Sequence, residues 1–331
     1  MQAASPGTAS SGTIVTIGEI LVEIMAETRG DGFREPLALR GPFPSGAPAI
    51  FIDQVARLDA AAGMIACVGD DDFGRLNVER LRRDGVDVRA IRIDPEQATG
   101  SAFVRYREDG ERDFVFNIRH SASGRTRIDA AAGLLLQGCR HLHIMGSSLF
   151  SAGLIEAARQ AAAQVRTRGG TVSFDPNVRK EMLRIPEMRA ALEAMLHACD
   201  IFMPSGPELT LLTAAPDEAG AIAEILSLGV AEIVVKRGAG GASHYDRDGA
   251  RHMAAFRVAE LDPTGAGDCF GATFVTCRLQ GMSVPDSLRY ASASGARAVG
   301  VRGPMEGACS FAELDAFIID HRGVDDIGDT A

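Results

Sequence analysis

Tryptophan is absent from this 331-residue chain, and tyrosine occurs only at Tyr106, Tyr245 and Tyr290. A pocket built to stack an aromatic base would have to draw on the 15 phenylalanines instead. No run of basic residues occurs, and 34 Lys+Arg against 44 Asp+Glu leave a net charge of −10. Binding a phosphate backbone needs a basic footprint, so the composition argues against a nucleic-acid partner. A small phosphorylated ligand stays open, because a few backbone N–H groups or one arginine hold a phosphate against an adverse global charge. The six cysteines, Cys67, Cys139, Cys199, Cys269, Cys277 and Cys309, form no C-x-x-C pair. That removes the usual zinc and redox motifs and leaves reduced core thiols. No apolar run reaches the roughly 20 residues that span a bilayer, and Met1 to Gly12 lack the basic start and apolar run of a secretory signal. A cytoplasmic protein with no membrane partner is expected, with residues 1–12 as a flexible tail.

What is present is a globular composition, 46% hydrophobic and 24% charged. At roughly 100–200 residues per domain, this length means two domains or one large domain with an insertion. Short Val/Ile-rich runs end at turn or small polar residues: 13–17, 64–68, 141–145, 171–174, 201–203 and 232–236. They have the character of strands buried on both faces. Helical spacing occupies 49–58, 75–84, 154–168, 187–198 and 219–228. The alternation predicts an α/β fold, a doubly wound and mostly parallel sheet over residues 13–323, with ligands at the carboxyl ends of its strands. Strand-like runs on both sides of Glu108-Asp109-Gly110-Glu111 predict a hairpin. With strands from the 19–41 region it would form a small inserted β-sheet lid, about 19–41 and 94–120. Residues 324–331 are expected to be a tail.

The most informative segment is Asp262-Pro263-Thr264-Gly265-Ala266-Gly267-Asp268, followed by an apolar helix running to a glycine stop at Gly281. Small residues at a helix N-terminus leave N–H groups bare, and with the helix dipole they make an anion site. A carboxylate beside a static anion would be misplaced. It makes sense if Asp268 takes the proton of a hydroxyl that attacks phosphorus while the amides hold the developing charge. The competing reading is a plain glycine turn with Asp as helix cap. There is no G-x-x-x-x-G-K-[ST], no dinucleotide G-x-G-x-x-G after the first strand, no G-x-S-x-G and no H-E-x-x-H.

At these residues the chain resembles the ribokinase-like (PfkB) family of sugar and nucleoside kinases. Asp262 to Asp268 is similar to that family's D-T-x-G-A-G-D, and the resemblance runs from Gly18 to about Gly307. Ser45-Gly46-Ala47-Pro48-Ala49 resembles its G-G-A-P-A-N segment, and Cys67 to Gly74 its V-G-x-D-x-x-G. Phe174-Asp175-Pro176-Asn177-Val178-Arg179 resembles the F-D-P-N-x-R of the branch acting on ketohexoses and 2-keto-3-deoxygluconate. Val235-Lys236-Arg237-Gly238 with Gly241 resembles a nucleotide-binding turn. The resemblance implies transfer of the γ-phosphoryl group of MgATP to a primary hydroxyl of tagatose, fructose or 2-keto-3-deoxygluconate. It makes Asp268 the base, the amides of Gly265, Ala266 and Gly267 the anion hole, and Arg179 a neighbour of the transferred phosphate. Glu23, Gly46, Ala47, Asn117 and Arg119 would bind sugar. Lys236, Gly238, Gly241, Thr264, Gly265, Gly267 and Ser292 would bind nucleotide. Glu208 would meet Mg2+ through water and Asp262 a monovalent cation, potassium by family habit. Several members also use the lid as a homodimer contact.

Departures from the pattern concern recognition. Ile50 stands where a sugar-binding Asn is usual and Ser45 replaces a glycine, so sugar binding must differ here. Asp53 and Gln54 either take over that work or form a solvated helix face. Ser205 precedes Glu208 where Asn is usual, and Ser292 replaces an adenine-side Asn. His141 and His143 are expected to be strand residues, since zinc needs three or four ligands. Asp70-Asp71-Asp72 is expected to be a solvated or lid-bonded loop, and Cys269 a buried thiol. The alternatives are a ribokinase or nucleoside kinase of the same fold and, from another class, a sugar-binding protein without chemistry.

Overall fold

The computed structural model describes residues 12–178, 186–321 and 327–330. The chain runs β1 (Thr13–Ile17), β2 (Leu21–Ala26), β3 (Leu39–Ser45), α1 (Ala47–Arg57), β4 (Ala62–Gly69), α2 (Asp72–Arg83), β5 (Ile91–Asp94), β6 (Gly100–Tyr106) and β7 (Arg112–Asn117). It continues through α3 (Ala130–Gln137), β8 (Cys139–Met145), α4 (Ala152–Thr167), β9 (Thr171–Asp175), α5 (Pro186–Ala198), β10 (Ile201–Phe202), α6 (Glu218–Ser227) and β11 (Glu232–Lys236). It closes with β12 (Ala242–Asp246), β13 (Gly249–Met253), α7 (Ala266–Leu279), α8 (Val284–Val299), α9 (Phe311–Asp320) and β14 (Ile327–Thr330).

The apolar runs form a ten-stranded sheet in the order β14-β13-β12-β11-β10-β9-β8-β1-β4-β5. It is parallel from β5 to β11 and antiparallel beyond. Continuous apolar strands need cover on both faces, and helices supply it. One face packs against α1, α7 and α8 around Phe51 and Phe274; the other packs against α3 to α6 around Phe174 and Phe202. Fully burying each such Phe contributes about 1.5–3 kcal/mol. The antiparallel edge, β12 to β14, lies beyond the last of the strand runs read from the sequence. Its strands, Ala-Ser-His-Tyr-Asp and Gly-Ala-Arg-His-Met, are mostly small and polar, which a search for continuous apolar runs passes over. Ile327–Thr330 pair with β13 where the sequence predicted a tail.

The second sheet, β3-β2-β6-β7, is the lid. Gly110, at φ 86°, makes the turn between β6 and β7, and Arg107 N–H donates to the Glu111 carbonyl at 2.8 Å to close it. The lid reaches Ser45, further than the expected end at 41, because β3 pairs with β2 until α1 begins.

Candidate active site

Strand β1 lies between β4 and β8, so the connections diverge there, and a crevice opens outside the carboxyl ends of the two strands. Glu19, just after β1, accepts from Ser147 at 3.0 Å and from the Ser148 hydroxyl, both just after β8. On the neighbouring strand Asp175 ends β9 and is ion-paired to Lys236, which ends β11. Glu208 faces the same pair: its carboxylate accepts from Val178 N–H at 2.6 Å and Ser205 N–H at 2.7 Å. Burial, then Asp175, push the Glu208 carboxyl above its ordinary range, and Lys236 opposes them. Burial alone would lower the Lys236 ammonium, yet Asp175, Glu208 and Asp268 hold it above its ordinary value. Lys236 is therefore a fixed cation inside a ring of carboxylates.

Helix α7 begins over this pair. Gly265 caps it in the left-handed conformation, φ 81°, and no side chain caps the helix. A Cβ on Gly265 would stand 2.3 Å from the Pro304 carbonyl and 3.2 Å from Ile50 Cγ2, so glycine is required and Ile50 is the floor beneath the turn. Among the described residues the N–H groups of Gly265, Gly267 and Asp268 find no acceptor, while that of Ala266 turns back to the Pro263 carbonyl at 3.3 Å. Bare amides at a helix start can hold an anion, and here they belong to Gly265, Gly267 and Asp268, not to Ala266. Asp268 is 9% exposed. Burial foremost, then Asp175, with Glu19 and Glu23 adding and Lys236 opposing, push its carboxyl up to about 8.

Of the expected sugar residues, Glu23 accepts from Ser45 at 3.0 Å, beside Gly46 and Ala47 at the start of α1. Gly46 has φ 114°, and a Cβ there would lie 2.6 Å from the Glu19 carbonyl. Asn117 is a correction. Register puts Glu23, Ala102 and Phe116 in one row and Val22, Ser101 and Asn117 in the next, so Asn117 is on the lid face opposite Glu23, donating to Ser101 at 3.3 Å. Arg119 lines an open cleft of about 560 Å³ with Asp71, Thr99 and Ser121. Arg179 lies outside the described residues.

Asp53 and Gln54 are neither sugar ligands nor a solvated face. Asp53 is fully buried against Arg80 at 3.1 Å, and Gln54 clips the chain before α9 by bonds to the Cys309 carbonyl and N–H, both 2.9 Å. His141 and His143 are buried strand residues sharing the Ser173 hydroxyl at 2.7 Å, His143 stacked on Phe51 at 3.7 Å; burial lowers both imidazoles, His141 to about 3. Asp71 caps α2, and burial raises the Cys269 thiol. Of the residues expected to bind nucleotide, Gly238 and Gly241 take φ 55° and 85° after β11. Ser292 is 8% exposed, and its hydroxyl has no partner among the described residues, which suits a ligand's polar edge.

Among the described residues no three His, Cys, Asp or Glu converge on a metal position. Mg2+ carried on phosphate oxygens would fit such a site, and Glu208 is the carboxylate that would reach it through water. The Asp262 carboxylate, the expected monovalent-cation residue, accepts from the Tyr106 hydroxyl at 2.5 Å and from the N–H groups of Thr264 and Gly303 at 3.0 Å. Residues that sequence reasoning missed are Glu19, Asp175 and the two serines after β8. One signal was available: Lys180 and Lys236 are the chain's two lysines among many arginines.

A buried carboxyl at the head of a helix with bare amides, set at the switch point of a parallel sheet and roofed by a lid, is the arrangement of a phosphoryl-transfer enzyme. The chain belongs to the pfkB family of carbohydrate kinases, whose model matches residues 14–309. It is 31% identical to a 2-dehydro-3-deoxygluconokinase of Thermoproteus tenax, over 92% of this chain and 94% of that one, and 30% identical to fructokinase-1 of Zea mays, over 91% and 96%. Among solved structures, an E. coli protein described as a candidate ribokinase II, in complex with ATP and Mg2+, superposes with TM-score 0.90 at 50% identity, covering 94% of this chain and all of that one. Fructokinase from Xylella fastidiosa with bound ATP gives TM-score 0.83 at 26% identity, over 93% and 98%. Among the described residues no helix is long and apolar enough to cross a membrane.

Proposed function

We propose that the enzyme transfers the γ-phosphoryl group of MgATP to a primary hydroxyl of a ketose or keto-sugar acid, tagatose, fructose or 2-keto-3-deoxygluconate, with Asp268 as general base. The observation that carries this reading is the buried Asp268 carboxyl beside the bare N–H groups of Gly265 and Gly267. A binding protein gains nothing from a carboxylate next to a phosphate site, whereas a kinase needs both. In the step, the sugar hydroxyl gives its proton to Asp268 as its oxygen bonds to the γ-phosphorus. The bond to the β–γ bridging oxygen breaks and ADP leaves. The amides hold the charge of the phosphoryl group in transit, and Lys236 sits below the first turn of α7, its Nζ 3.6 Å from where a Gly267 Cβ would be. Mg2+ bound to the phosphates would neutralise their charge. A potassium ion, as in a Vibrio cholerae fructokinase structure at 27% identity, would have main-chain carbonyls of the 262–265 loop as ligands.

Electrostatics rank the acceptors. Glu19, Glu23 and Asp175 already crowd Asp268, so a neutral ketose meets less repulsion than a sugar acid. The 50% identity to the E. coli protein described as a candidate ribokinase II favours ribose as the second reading. ADP release measured with MgATP and each of tagatose, fructose, 2-keto-3-deoxygluconate, ribose and adenosine tests the proposal. A ketose is expected to give the highest kcat/KM; turnover confined to adenosine overturns it.

A further inference from the structure

Tyr106 and Arg112 are cross-strand partners at the turn end of the lid hairpin, on the lid face that carries Glu23. Both reach the loop that opens α7. The Tyr106 hydroxyl donates to Asp262 Oδ1 at 2.5 Å, and Arg112 Nη1 donates to Thr264 Oγ1 at 3.2 Å, the guanidinium lying 5.3 Å over the Phe114 ring. Asp262 is 1% exposed and does more than receive the lid. Its Oδ1 also takes the Thr264 N–H and its Oδ2 the Gly303 N–H, next to Pro304, whose carbonyl closes on Gly265. The lid, the 262–264 segment and the 303–304 loop thus meet on one carboxylate immediately before the anion-hole turn.

We propose that Tyr106 and Arg112 are positioning residues for phosphoryl transfer, which hold the Asp262–Thr264 segment so that the anion-hole amides are in place when the lid is closed. A charge-assisted bond from a phenol to a buried carboxylate is short and directional, so it fixes position as well as adding affinity. A second tether two residues along stops the segment from pivoting about the first. Lid opening breaks both tethers, and closure over sugar restores them. Binding energy from the sugar is thereby spent on assembling the phosphate site, and a lid closed without its tethers leaves amides misplaced by a fraction of an ångström.

The proposal rests on the phosphoryl-transfer reading above. It is tested with Tyr106→Phe, Arg112→Gln and the double variant, assayed by ADP release with MgATP and whichever sugar of the panel is turned over fastest, with Asp268→Asn alongside. Each single variant is expected to lose about tenfold in kcat while KM for MgATP stays within about twofold. The double variant is expected to lose little more than either single one, since both act through one segment. Single variants with wild-type kcat, or losses that multiply in the double variant, overturn it; should Tyr106→Phe fail to fold, Arg112→Gln decides alone. Full turnover by Asp268→Asn would instead bring down the kinase reading, whatever the latch variants do.

Discussion

Lys236 and Asp175, 61 positions apart, are ion-paired at the carboxyl ends of strands separated only by β10, directly beneath the start of α7. The pair supplies the fixed positive charge of a site otherwise built from carboxylates. Lys236→Met would leave Asp175 and Glu208 buried without their cation, and removing one partner of such a pair costs about 3–5 kcal/mol. Denaturant unfolding is expected to show a loss of that size, and an unchanged midpoint would mean that solvent reaches the pair.

The carboxyl of Asp268 is pushed up to about 8 by burial and then by its acidic neighbours. A base must be deprotonated to act, so kcat/KM should fall as pH drops below about 8. Glu19→Gln, by removing a charge that raises the group, should move that limb to lower pH. A profile flat from pH 6 to 9 contradicts the assignment.

The same shift has a consequence for stability. The folded state keeps a proton that the unfolded chain releases near 3.8, so this group's stabilising contribution is complete below that pH and is lost as pH rises to about 8. Asp268→Asn removes the dependence. The gain in Tm of the variant over the native enzyme should grow between pH 5 and 8 and level off above; a constant difference would show that the carboxyl is not buried as described.

Asp53 belongs to a buried network with Arg80, whose guanidinium also holds Asp84 at 2.5 Å and the Met305 carbonyl at 2.8 Å. Arg80→Ala should cost about 3–5 kcal/mol in unfolding free energy by stranding these carboxylates. Asp53→Asn should leave KM for the sugar within about twofold, since lost substrate hydrogen bonds cost far more. A large rise in KM would return Asp53 to the sugar site.

How far the sequence could be read depended on the range of the interaction. The uncapped helix start at Gly265, Asp268 in its first turn and the glycine stop of α7 are local, each decided by neighbours within a helical turn, and were legible. So were β1 and β11, whose continuous apolar runs fix their strand character. Glu19 with Ser147 and Lys236 with Asp175 were not legible as pairs, because strand order brings together residues 128 and 61 positions apart. Gln54 was misjudged for a related reason: its partner Cys309 is 255 positions away, and a polar residue on a helix gives no sign of a buried acceptor waiting for it. Asn117 was misplaced by phase, since one step of strand register exchanges the two faces of the lid.

Asp268→Asn is the most direct test of the central claim. In the coupled ADP-release assay with MgATP and the best sugar of the panel, the variant should keep its fold and lose roughly 10²–10⁴-fold in turnover, the contribution of a general base. A folded Asp268→Asn enzyme with native turnover would contradict the account.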